Sequence, residues 1–155
     1  MNGHIWILVA DSNKARIYAA YKAKLFLPEA NENTVALVSE FNHPASRKHD
    51  RELVSDSSGR YRSTGVGSDT FDTPTDPKRH EEDIFAAQLC KVLHEGFYAK
   101  KFEELILIAP PVFLGMLNKH AARMNGLANA INVTVEKDYI DLNERELVKQ
   151  LQTHI

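Results

Sequence analysis

The stretch Ile5-Trp6-Ile7-Leu8-Val9-Ala10-Asp11-Ser12-Asn13-Lys14-Ala15-Arg16-Ile17-Tyr18-Ala19-Ala20-Tyr21 decides how the chain is read. Its opening run, Ile5-Trp6-Ile7-Leu8-Val9, is unbroken in apolar residues and rich in β-formers, which suits a central strand covered on both faces. Asp11-Ser12-Asn13 is a turn cluster, because short polar side chains of this kind bond nearby backbone amides. Residues 15–21, with Ile17, Tyr18 and Tyr21, read as a second strand. The short turn between the two predicts an antiparallel hairpin.

Working outward, Pro28 and Asn31-Glu32-Asn33 mark a loop, and residues 35–41 read as a third strand, apolar at Val35, Leu37 and Phe41. Residues 42–75 differ in character. They hold three of the seven glycines (Gly59, Gly65, Gly67), two prolines and few large apolar residues. A polar stretch of that length inside a domain is usually functional or disordered. Asp76-Pro77 then opens a helix, with Asp as N-cap and Pro at the first helical position. Glu81, Glu82 and Asp83 are expected to complement its dipole. Phe85, Leu89, Val92 or Leu93, and Phe97 give the helix one buried face through about Ala99. Leu105-Ile106-Leu107-Ile108-Ala109 is a second continuous apolar strand, ended by Pro110-Pro111. The helix that follows carries Phe113, Leu114, Leu117 and Ala121 as its stripe. Ile131, Val133 and Val135 alternate with polar residues, the pattern of an outer strand. Asn143 with Glu146 has the spacing of a capping box, and Leu147, Leu151 and Ile155 give the last helix its apolar side.

The order β-β-β, long loop, α-β-α-β-α predicts an α/β fold with a five-stranded mixed sheet and helices on its faces. Three consecutive strands suggest an antiparallel half, and the two strands that follow helices suggest parallel additions. That order matches a ribonuclease H-like topology.

Composition agrees. At 155 residues one domain, spanning 1–155, is expected. A chain of this size buries roughly 70% of its unfolded surface, so its core needs neither disulfide nor metal. The formal net charge of −2 gives no global pull on nucleic acid or anionic lipid. Cys90 is the only cysteine, which excludes an internal disulfide and a multi-cysteine zinc site. The start lacks the basic segment of a signal peptide, and no stretch approaches the ~20 apolar residues of a membrane span. A cytoplasmic protein without a membrane span is expected.

Several constellations offer chemistry. Residues 42–75 contain Arg47, Lys48, Arg51, Arg60 and Arg62, interleaved with Tyr61 and His49 beside His43. Arginines near aromatic and glycine residues can grip phosphates and stack on bases, although Asp50, Glu52, Asp56, Asp69 and Asp72 dilute the charge. Two roles are open to Asp11: capping its own turn, or binding a metal or orienting a base at the end of a strand. Arg16 can pair with Asp11 or with a ligand anion, and the structural ion pair is the expected role. His43, His49 and His80 lack metal-ligand spacing, and no metal or cofactor is expected. Asp76 reads as an N-cap before it reads as a site residue. His80 is the acid or base best placed to act if the loop hosts chemistry. Asp11, Asp76 and Asp138 are the available carboxylates for a metal nuclease. There is no nucleophile elbow or phosphate-binding P-loop, and Gly65-Val66-Gly67 lacks the third glycine of a dinucleotide fingerprint. Cys90 reads as a packed side chain.

Four segments carry a resemblance to a known family. They are Trp6-Ile7-Leu8-Val9-Ala10-Asp11-Ser12-Asn13-Lys14-Ala15-Arg16-Ile17; His43-Pro44 with Arg47 and Glu52-Leu53-Val54-Ser55-Asp56 through Gly59-Arg60; Thr75-Asp76-Pro77-Lys78-Arg79-His80-Glu81; and Ile108-Ala109-Pro110-Pro111-Val112-Phe113-Leu114-Gly115. In this order they resemble the bacterial host attachment protein family. The resemblance implies kinship with the middle domain of archaeal and eukaryotic peptide-chain release factors. There, a Gly-Gly-Gln loop between the third strand and a long helix promotes peptidyl-tRNA hydrolysis. Here the loop Gly59-Arg60-Tyr61-Arg62-Ser63-Thr64-Gly65-Val66-Gly67 occupies that topological place. It has no Gly-Gly pair, and the only glutamines are Gln88, Gln150 and Gln152. Release-factor catalysis is therefore not carried over. The expected function is a non-catalytic binding or adaptor role, in contact with the ribosome, tRNA or a protein. Its binding residues are expected to be Arg16, His43, Arg47, Asp56, Gly59, Arg60 and Arg62. The alternative is a hydrolase or nuclease centred on Asp11, Asp76 and His80.

Overall fold

The computed structural model describes residues 3–43 and 77–154. Strands β1 (His4–Ala10), β2 (Lys14–Tyr21), β3 (Ala36–Asn42), β4 (Glu104–Ala109) and β5 (Ile131–Glu136) form one sheet in the order β3-β2-β1-β4-β5. β2 is antiparallel to both β1 and β3, while β4 lies parallel to β1 and β5 parallel to β4. The mixed sheet expected from the sequence is present, with the first strand at its centre.

β1 is central because both of its faces are apolar. Trp6, Leu8 and Ala10 enter one core layer, with Ile17, Leu105 and Leu107; Ile5, Ile7 and Val9 enter the other, with Tyr18, Ile106 and Ile108. Fully burying one such aliphatic side chain stabilises by about 1.5–3 kcal/mol, so the strand cannot be moved to an edge without large loss.

Helix α2 (Pro77–Tyr98) follows the short α1 (Lys22–Leu25) in chain order and covers the first layer with α3 (Pro111–Ala121) and the short α4 (Leu127–Ala130). The other layer is closed by α5 (Glu144–His154) through Leu147, Val148 and Leu151. The expected box at the start of α5 is present: the Glu146 amide donates to Asn143 Oδ1 at 2.9 Å and the Asn143 amide to Glu146 Oε1 at 3.0 Å. Ile155 and the Asp76 cap lie outside the described residues.

The structure departs from the sequence pattern in three places. α1, α4 and a 3-10 turn at Glu32–Thr34 had no signal in the sequence pattern, being too short for a periodicity. Leu37, one of the three apolar residues that mark the third strand, is 50% exposed. It sits on the edge strand, where Ile17 pairs with Ser39 and Tyr18 with Leu37, so Val38 bulges out of the ladder. The first turn of α2 contains no acid. It is Pro77-Lys78-Arg79-His80, so the carboxylates expected to favour the dipole start one turn later.

α2 ends in a Schellman motif. The Lys101 amide donates to the Gly96 carbonyl and the Lys100 amide to the Phe97 carbonyl, both at 3.0 Å, and Lys100 takes φ 62°. That left-handed position usually holds glycine. Earlier in the same turn, a Cβ on Gly96 would lie 2.6 Å from the Trp6 ring. Helix propensity alone would make alanine better there by roughly 1 kcal/mol. Trp6, however, is buried and stacked on Phe102 at 4.8 Å, and overpacking of this kind costs about 1–3 kcal/mol. Gly96→Ala is therefore expected to lower stability in urea by about 1–2 kcal/mol; a gain would show that Trp6 is free to yield.

Candidate functional site

The C-terminal ends of β1, β4 and β5 and the start of α2 share one end of the sheet. Asn42, where residues 44–76 depart, pairs with Lys14 at that end. At the β1–β2 turn, the amides of Asn13 and Lys14 both donate to Asp11 Oδ1 at 2.8 Å. The Asp11 amide donates to the Lys14 carbonyl at 2.9 Å. Of the two roles open to Asp11, the turn-capping one is realised.

Arg16 pairs with Glu40 rather than Asp11. Its Nε donates to Glu40 Oε2 at 3.1 Å and its Nη1 to the Ile140 carbonyl at 2.7 Å. Partial burial works against the charged guanidinium, but the bond to Glu40 and the nearby Tyr18 outweigh it and raise its pKa. Burial is also the main reason the Tyr18 phenol titrates above its ordinary value, with the charge of Glu144 adding to it. Arg16 thus clamps β2, β3 and the segment after β5 together. This is a structural anchor at the place where a binding residue was expected.

His43 is buried, its ring 4.6 Å from that of Phe85 and its Nε2 3.8 Å from Glu81 Oε1. Its amide donates to the Asn13 carbonyl at 2.7 Å, which locks the end of β3 to the β1–β2 turn. The sequence put His43 on a binding surface; its imidazole is instead packed against α2. His80 and Arg79 stand exposed on the first turn of α2. Asp138 Oδ1 accepts from the Ile140 amide at 3.4 Å, a local turn contact. Asp76, Arg47, His49, Asp56, Gly59, Arg60 and Arg62 lie outside the described residues. Among the described residues, no three His, Cys, Asp or Glu side chains are placed to hold a metal ion, and no helix is long and apolar enough to cross a membrane.

One cluster was missed. Asp83 Oδ1 lies 3.0 Å from His120 Nε2 and 3.3 Å from Lys119 Nζ, joining α2 to the last turn of α3. A signal was present. Asp83 stands three residues before Ala86, and His120 three after Leu117, so each continues a buried helical stripe. Cys90 lies in that interface with its Sγ donating to the Leu117 carbonyl at 3.3 Å. Burial pushes its thiol pKa up to about 12, which keeps it protonated and unreactive.

Burial pushes the Asp83 carboxyl upward, but the hydrogen bonds from His120 and Lys119, with their charges, prevail and hold it below its ordinary value. The folded state thus favours the carboxylate. Its contribution is full above the unfolded pKa of roughly 3.9 and is lost as pH falls through the lower folded value. Asp83→Asn should flatten the acid limb of a plot of urea midpoint against pH. The wild-type and variant curves should approach each other as Asp83 protonates; parallel curves would show that the pair is not coupled to folding. The effect is expected to be modest, because the pair is partly solvated.

A comparison with curated proteins found no match. Among solved structures, the chain is similar to the crystal structure of the type II variant of the Aquifex aeolicus Ppx/GppA phosphatase. The identity is 9% and the TM-score 0.38, over 85% of this chain and 35% of that one. The chain therefore spans about a third of that protein's length. The family model described as "protein required for attachment to host cells" matches residues 6–151. With nearly the whole sequence matched, and with the motifs around Asp11, His80 and Pro110 inside the match, the chain belongs to the host attachment family.

Proposed function

We propose that this protein is a non-catalytic binding or adaptor protein. It works through the polar segment 42–75 and the start of α2, and it contacts phosphate groups of tRNA or the ribosome. The observation that carries this reading is the first turn of α2. Arg79 and His80 are exposed beside Lys78 at the positive end of a 22-residue helix. Placing cations there opposes the dipole by about 0.3–1 kcal/mol each, a cost that an anionic partner would reverse. Arg47, Arg60 and Arg62 belong to the segment that joins this turn to β3, so a phosphate-bearing partner would meet both. The strand order supports a ribonuclease H-like reading of the sheet and, with it, kinship to the release-factor middle domain. The family's attachment role would then be indirect, through translation. The hydrolase or nuclease alternative is less well supported, because Asp11 Oδ1 is already taken up by the two turn amides it caps and no three metal-ligating side chains converge among the described residues.

Ribosome co-sedimentation at graded salt tests the proposal. The logarithm of affinity should fall with the logarithm of salt concentration, by roughly 0.7–0.9 per phosphate contact. Arg60→Ala with Arg62→Ala and Arg79→Ala should weaken association and reduce that slope by about 2. Absent or salt-insensitive association, unchanged in the variant, would remove RNA phosphate as the partner and leave a protein surface as the alternative.

A further inference from the structure

The opposite end of the sheet, where β1 and β4 begin, holds a cleft of roughly 660 Å³ lined by Phe97, Tyr98, Lys100, Phe102 and Glu103. It is independent of the surface proposed above. Its wall is built by aromatic packing. The Phe102 ring stacks on Trp6 at 4.8 Å and meets Phe97 at 5.9 Å, Phe97 meets Tyr98 at 6.0 Å, and Tyr98 meets His94 at 4.5 Å. Two glycines make room for these rings: a Cβ on Gly96 would strike Trp6, and one on Gly126 would lie 2.9 Å from Phe97. Phe102 and Trp6 are buried, so the floor is fixed, whereas Tyr98 is 59% exposed at the rim.

The rim carries one cation in an unusual setting. Lys100 occupies the left-handed position of the Schellman motif at φ 62°. Glycine would hold that position without the roughly 1–2 kcal/mol that a Cβ costs there. Lys100 makes no ion pair among the described residues. The one acid among the described lining residues, Glu103, accepts through Oε1 from the Gly3 amide at 2.7 Å. A strained residue that supplies a charge beside an apolar slot points to a ligand more than to stability.

We propose that this cleft binds a small aromatic organic anion, one or two rings bearing a carboxylate or sulfonate. The rings lie against Phe97 and Tyr98, and Lys100 takes the anionic group through a charge-assisted hydrogen bond. The volume falls in the range of ordinary small-ligand sites, about 300–1,000 Å³.

The test uses two fluorescent probes of nearly the same shape, 8-anilinonaphthalene-1-sulfonate and the uncharged N-phenyl-1-naphthylamine. Trp6, the only tryptophan, stacks on the cleft wall, so quenching of its emission reports binding. The sulfonate should bind saturably to the full chain. Lys100→Gly and Lys100→Gln should each weaken it about fivefold or more, the loss of one partly exposed ion pair. Both should leave the uncharged probe within about twofold. Lys100→Gly should melt no lower than the wild type, because it relieves the left-handed strain; lost binding is then not lost folding. Non-saturable sulfonate binding, unchanged affinity in both variants, or equal weakening of both probes would overturn the proposal.

Discussion

Strand β1 has no face toward water, and the rest of the molecule is arranged around that fact. Ile7 and Leu8 are adjacent in sequence, point to opposite sides, and are both fully buried. A strand with that property needs a neighbour on each edge and a helical layer on each face. β2 supplies one edge through a short connection, a three-residue turn capped by Asp11. β4 supplies the other in parallel, which requires a crossover, and α2 is the helix of that crossover. The two core layers therefore follow from one apolar run.

Once the centre is fixed, the two ends of the sheet acquire different characters. At the C-terminal end of β1, polar side chains are used to tie elements together. Asp11 holds a turn, Arg16 joins β2 to β3 and to the segment after β5, and the backbone of His43 is tied to Asn13. Among the described residues, this end exposes Arg79 and His80 on the first turn of α2 and gathers no three His, Cys, Asp or Glu side chains that could hold a metal ion. At the other end the chain stacks rings, and it has to omit two Cβ atoms to do so. Polar ties there are confined to the periphery. Glu104 receives Lys22 Nζ and Asn132 Nδ2, each at 3.0 Å, which stitches the ends of β2, β4 and β5.

How much of this was legible depended on sequence distance. Elements whose signal is local were readable: the two continuous apolar strands, the short hairpin, the proline at the start of α2, and the Asn143–Glu146 box. The turn role of Asp11 is also local, since its partners are two and three residues away. What could not be read is set by contacts between distant residues. Arg16 finds Ile140 across 124 positions, and nothing near Arg16 announces it. His43 follows a strand and precedes the polar segment, so it reads as surface until α2 is laid against it. Leu37 obeys the strand alternation, yet β3 lies at the sheet edge and bulges at Val38, so the pattern is right and the burial is not. Lys100 is the reverse case: a lysine after a helix carries no hint of a left-handed backbone, because glycine is the residue that usually signals one.

Native-state hydrogen exchange most directly tests the claim that the doubly covered strand pair holds the fold. The amides of residues 5–9 and 105–108 should exchange last, together, and only through global unfolding, with a denaturant dependence equal to that of the whole protein. β3 and β5, each open on one edge, should exchange earlier through local opening. Faster exchange in β1 than in α2 or β3, with little response to denaturant, would contradict the account.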